Sequence, residues 1–249
     1  MADQLYLSLW FPNFRLESLP AALTCVMRQF ARISGDPRVV AAAAYPIAFR
    51  EAPLYQRVYV TDDRSEENRD TAAAAIDAAV AEATEQLHDD MAYEFEMKWR
   101  LWLPETEPGE GIGLDVLWKP QPVTVRILGF GPAFDEGDYE QNGHVRVDFG
   151  LDHPWTLAEE EDGSEEEEED TPGDVGNVLA FRSPIAAAPG HDDAETAGET
   201  AQYIRRNVEA LLAFTLSVEK HCGISSRLLW TESGEPLAEK LIAQLQRLN

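Results

Sequence analysis

The chain has little cysteine, little lysine and no long apolar run, and each shortage removes a class of protein. Only Cys25 and Cys222 occur in 249 residues, with no CxxC pair, so a structural zinc site or a disulfide framework lacks its ligands. Reduced thiols are the expectation. No stretch approaches the roughly 20 apolar residues that cross a bilayer. The opening Met-Ala-Asp-Gln-Leu-Tyr-Leu-Ser-Leu-Trp has no positively charged n-region. A soluble cytoplasmic protein is therefore expected, with no membrane contact. Four lysines stand against sixteen arginines in an alanine-rich chain, a bias that fits a GC-rich coding sequence better than salt tolerance. No GxSxG, HExxH, EF-hand loop or RNP-like basic aromatic motif is present, which removes the readily recognised enzyme and nucleic-acid classes.

What the chain has in excess is acid. Its 46 Asp+Glu against 20 Lys+Arg give a net charge of −26, which opposes unaided binding to nucleic acid or anionic lipid. The excess is concentrated: residues 158–199 carry 15 acids against the single Arg182. Within that stretch Glu159–Asp162 and Glu165–Asp170 are separated by Gly163-Ser164 alone, a block that repels itself and buries no apolar area. Residues 158–198 read as a solvated acidic insert. The remaining chain, with 44% hydrophobic residues overall, has the composition of a packed domain.

Period-2 alternation predicts a first strand at Leu5–Phe11, with a helix from Ser18 whose Leu19, Leu23, Val26, Phe30 and Ile33 share a face. Strands follow at Arg38–Pro46 and Leu54–Val60, a second helix at Glu67–His88, and the clearest strand at Tyr93–Leu101. This β-α-β-β-α-β order is that of a ferredoxin-like unit. After a Pro/Gly-rich link, strands are expected at Leu114–Trp118, Val123–Gly129 and His144–Gly150. A helix at Glu199–Cys222 with Gly223 after it, a strand at Ile224–Trp230 and a helix from Ser233 complete the reading. The fold class is α+β: an antiparallel or mixed sheet with helices mainly on one face. Residues 1–103 and 104–249 form two α+β halves of what can be one continuous domain. The likeness of Trp99–Glu105 to Arg227–Glu232 suggests an internal duplication.

Candidate chemistry lies on the polar sides of the strands. His144, Arg146 and Asp148 point one way and Val145, Val147 and Phe149 the other. Arg126, Glu94, Glu96, Lys98 and Arg100 are placed to share that polar face, which can be either a binding surface or the solvated side of an antiparallel sheet. Trp10, Trp102 and Trp118 fall on the polar sides of their strands, where aromatics serve recognition unless a further layer covers them. Asp148, Asp152, His144 and His153 have no spacing that places four ligands around one metal, so no metal and no cofactor is expected. Gly109-Glu-Gly111-Ile-Gly113 leads into a strand and opens no helix, so it is a turn and not a phosphate cradle. Cys222, at the end of a helix, lacks the electropositive setting of a reactive thiol.

These residues favour a non-enzymatic binding protein that presents a polar sheet face or an aromatic cleft to a protein or small ligand, with Arg146, Arg126, Lys98, Arg100 and Trp102 as binding residues. The rival is a small-molecule enzyme with His144 as acid–base, Arg146 as anion anchor, and Asp148 and Glu96 beside them. A third reading is an acidic inhibitor or mimic engaging a basic partner through the insert.

Overall fold

The computed structural model describes residues 3–60, 69–105, 117–135, 142–151, 154–155 and 191–233. Strand β1 (Gln4–Trp10) leads through a 3-10 turn (Leu16–Ser18) into helix α1 (Leu19–Ile33). Strands β2 (Val39–Pro46) and β3 (Tyr55–Val58), helix α2 (Arg69–Ala83), and strands β4 (Met91–Pro104), β5 (Trp118–Phe130) and β6 (Val145–Leu151) follow. Helix α3 (His191–His221) and strand β7 (Ser226–Thr231) close the described chain. The strands form one sheet, seven-stranded among the described residues, in the order β3-β2-β4-β5-β6-β1-β7 with every neighbour antiparallel.

Alternation decides which face is core. Tyr93, Phe95, Met97, Trp99 and Leu101 of β4 are buried, and so are Val125, Ile127, Val145, Val147, Leu7 and Leu9 of the neighbouring strands. The helices cover this face. Helix α1 brings Leu19, Leu23, Val26, Met27 and Phe30 to it, and Gly129 of β5 makes room, since a Cβ there would stand 2.8 Å from Leu19 and 2.9 Å from Leu23. Phe30, Trp99, Phe149, Trp155 and Phe214 then meet mostly edge to face, with centroids 5.3–6.4 Å apart, an arrangement that adds to area burial.

The element order of the first half is as expected, but the pairing departs from a ferredoxin-like sheet. Segment β3-α2-β4 is a split unit with β2 between its parallel strands. By contrast β1 and β2, joined by α1, are three strands apart because β4, β5 and β6 lie between them. The alternation pattern fixes which face a residue takes and carries no information on which strand lies beside which. The duplication finds no support in the pairing either: Trp99–Pro104 continue an inner strand, while Arg227–Thr231 form the edge strand β7.

Boundaries differ where prolines mislead. Trp118 and Val123–Gly129, expected in separate strands, belong to the single strand β5, which runs through Pro120 and Pro122. These prolines pair with Trp102 and Arg100, whose own N–H groups point away from β5 to Asn207 Oδ1 (3.0 Å) and to the Ser34 carbonyl (3.0 Å). The proline nitrogens therefore face the stretch of β5 that β6 does not reach, where no donor is needed. Helix α3 begins at His191, so the end of the expected insert is helical. Residues 156–190, Leu114–Val116 and the predicted helix after Ser233 lie outside the described residues.

The expectation of reduced thiols is corrected: Cys25 and Cys222 form a disulfide with Cα atoms 5.7 Å apart. Cys25 lies off the apolar stripe of α1, on the flank that meets α3. The same contact is tied by Ser217 Oγ donating to Gln29 Oε1 (2.9 Å). No described helix is long and apolar enough to cross a membrane.

Candidate functional site

The open face of the sheet, opposite the helices, gathers most of the residues singled out from the sequence. Its even-numbered β4 positions Glu94, Glu96, Lys98, Arg100 and Trp102 lie beside Leu128, Arg126, Thr124, Pro122 and Pro120 of β5, and Arg126 and Leu128 lie beside Asp148 and Arg146 of β6. Tyr6 and Ser8 of β1 come next, then Trp230 and Leu228 of β7. One end is closed by a small apolar cluster of Ala92, Leu128, Phe130 and Phe134 with Tyr45 and Phe49. Among the described residues no helix lies over the centre of the face; α3 reaches it only at the Trp102 end, through Tyr203 and Arg206.

The centre of the face is an ordered polar and aromatic array. Asp148 is buried, forms an ion pair with Arg126 (3.1 Å) and accepts from the Gly150 N–H (3.0 Å). Arg146 donates to Asn142 Oδ1 (2.7 Å), and its guanidinium lies 5.1 Å from the Tyr6 ring centroid and 5.4 Å from that of Phe130. Tyr6 packs against Trp230 at 4.7 Å, and the Trp230 indole N–H donates to the buried Ser8 hydroxyl (3.0 Å). Lys98 donates to Thr124 Oγ1. Arg126, Thr124 and Leu228 are exposed, and Tyr6, Trp230, Glu94 and Glu96 are half-buried.

Crowding and burial act on the titrating groups. Burial pushes the Glu94 carboxyl up; Arg126 opposes this, and Glu96 and Asp148 add to it. The Tyr6 phenol is raised by burial and then by the Asp148 charge, and the Tyr45 phenol by burial and then by Glu94 and Glu96.

His144 stands apart from this array. It precedes β6, stacks on Phe14 at 4.0 Å and an 11° interplanar angle, and its Nδ1 accepts the Phe11 N–H (2.9 Å). Burial pushes its imidazole down. His144 thus fastens the chain leaving β1 to the start of β6. Its Cα lies about 13 Å from that of Asp148, four residues along an extended chain. The residues assigned to acid–base chemistry are spread over the sheet: Asp148 is paired with Arg126, and Glu96 is the β4 neighbour of Arg126. A groove between α1 and α2 and another between β3 and α2 are lined by none of them. No group of three potential metal ligands exists among the described residues.

Trp102 belongs to a second aromatic group at the end of the β4–β5 ribbon. It stacks on Tyr203 of α3 (4.7 Å), which stacks on Trp118 (5.5 Å), and Arg206 lies over Trp102 and Tyr203 at 5.5 and 5.6 Å. Asn207 fixes the helix there. It accepts the Trp102 N–H and donates to the Trp102 and Pro154 carbonyls, replacing the strand that β2 no longer supplies. Tyr6, Ser8 and Trp230 join the site without having been expected there from the sequence. Their even positions in β1 and β7 were a usable signal, but it needed the knowledge that β1 lies between β6 and β7. Asp152, His153 and the acidic block lie outside the described residues. Comparison with protein-family models, with curated proteins and with solved structures gives no match.

Proposed function

We propose that this chain is a non-catalytic binding protein whose open sheet face docks another protein. The carrying observation is the assembly of Tyr6, Trp230, Arg126 and Arg146 on one broad face, with α1, α2 and most of α3 packed on the other and α3 reaching this face only at its Trp102 end through Tyr203. Trp, Tyr and Arg are the residues that dominate protein–protein contacts, whereas a small-molecule site is a concave pocket with convergent polar groups. Charge supports the same reading. Glu94, Glu96 and Asp148 are balanced on this face by Lys98, Arg100, Arg126 and Arg146, so an otherwise strongly acidic chain presents a near-neutral patch where long-range repulsion of an acidic partner is weakest.

The cytoplasmic location expected from the sequence is compatible with this reading where the Cys25–Cys222 bond resists reduction by the thiol pool; an oxidising compartment meets that condition without further requirement. The experiment is photo-crosslinking in cells from a photoreactive residue placed at Thr124, with the same residue at the exposed Glu209 of α3 as control. A discrete adduct with another protein from Thr124 alone supports the reading. Adducts joining Thr124 to this chain's own residues, or no adduct, overturn it.

A further inference from the structure

A second surface, at the opposite edge of the sheet, has the form of a strand acceptor. The β2–β3 register pairs Ala42 with Arg57 and Ala44 with Tyr55, and the Tyr59 N–H reaches the Val40 carbonyl (2.8 Å). Odd-numbered β3 residues therefore turn their main-chain groups toward β2, and those of Gln56 and Val58 project from the outer edge, beside which no further strand lies among the described residues.

Edges of this kind are normally blunted by a covering element or by lysine or proline. Here the edge carries Leu54, Val58 and Val60, which are 70%, 63% and 94% exposed. Beside it runs a groove of about 550 Å³ lined by Arg57–Val60 on the strand and by Ala72, Ala75, Ala78 and Glu82 on α2. The helix positions recur every three or four residues and so share one face, and three of the four are alanines, which leave space for side chains from outside. The cations of the groove are balanced: Arg38 is held by the buried Asp36 (2.6 Å), and Arg57 pairs with Glu82.

We propose that this groove binds an extended, predominantly apolar segment of another protein, which adds to the sheet beside β3. The unpaired donors and acceptors of Gln56 and Val58 call for a strand and not a helix, and alternate side chains of that strand enter the alanine-floored groove. A second copy of this chain is the less suitable occupant, because its own charge of −26 opposes self-association. The surface is distinct from the open face, so the two proposals stand or fall separately.

The test is selection of a random linear 12-residue phage-displayed peptide library on the full chain, with synthetic winners measured by titration calorimetry. Winners are expected to alternate apolar residues and to slow amide exchange at Gln56 and Val58, where the outward N–H groups of the free chain are expected to exchange rapidly. Val58→Pro removes one outward donor and leaves the β2 ladder whole; it is expected to weaken binding at least tenfold with an unchanged circular dichroism spectrum. Ala75→Arg fills the groove from the exposed helix side without touching the strand and is expected to act likewise. The proposal is overturned by a selection without binders, by winners indifferent to both substitutions, or by Gln56 and Val58 amides already protected in the free chain.

Discussion

Reduction of Cys25–Cys222 should lower the thermal midpoint by about 10–20 °C. The two cysteines are 197 residues apart in sequence, so the bond closes most of the chain into one loop. The chain-entropy relation for a loop of that length removes about 18 cal/mol/K from the unfolded ensemble, or about 5 kcal/mol at 25 °C, the top of the range seen when native disulfides are removed. A domain of this size shifts by about 2–4 °C per kcal/mol. The assay is calorimetric unfolding with and without a phosphine reductant, with thiols counted under denaturing conditions in the same samples. Unreduced protein should show no free thiol and reduced protein two, and the Cys25→Ser/Cys222→Ser variant should melt with the reduced form. A midpoint that moves by less than about 3 °C after both thiols are freed would refute the loop-closure argument. Two free thiols before any reductant would refute the bond itself.

Three further outcomes follow from the geometry. Asn207→Ala leaves the Trp102 N–H and the Trp102 and Pro154 carbonyls without these partners and should cost about 2–4 kcal/mol in urea unfolding; a loss under about 0.5 kcal/mol means that water replaces the amide fully. Burial lowers the His144 pKa and its Nδ1 accepts the Phe11 N–H, so stability should be complete above about pH 6.5 and fall as pH drops from there through the lowered folded-state value. His144→Asn should flatten that acid slope, and an unchanged slope would assign it to other groups. Burial raises the Glu94 carboxyl, so its charged form is penalised in the fold. Glu94→Gln should therefore stabilise the protein at pH 7, with the gain fading as pH falls toward the ordinary carboxylate value of 4.5, and equal stability of both forms at pH 7 would count against a desolvated Glu94.

How much of this was readable in the sequence depends on how local the cause is. Strand β4 was legible because Tyr93, Phe95, Met97, Trp99 and Leu101 are core and the residues between them are wet, a contrast that needs no knowledge of neighbours. The end of α3 at Gly223, with φ +62°, was legible for the same reason. Non-local causes were not. Whether Pro120 and Pro122 interrupt β5 depends on which edge their nitrogens face, and that depends on where β6 stops. Whether two cysteines join depends on α1 packing against α3. The candidate site shows the same division: the alternation of Arg146 and Asp148 was visible, whereas the pairing of exposed Arg126 with buried Asp148, the Tyr6–Trp230 stack and the separation of His144 from both come from sheet order.

Docking requires the open face to be available in the intact chain, and hydroxyl-radical footprinting read by mass spectrometry measures this directly. Leu228 at 43% exposure and the half-buried Trp230 and Tyr6 should be oxidised in the free protein, with the fully buried Trp99 as the unreactive reference, and they should be protected when the partner crosslinked from Thr124 is added. Protection of Leu228, Trp230 and Tyr6 to the level of Trp99 in the free chain would show the face to be covered by the protein itself and would contradict the docking surface.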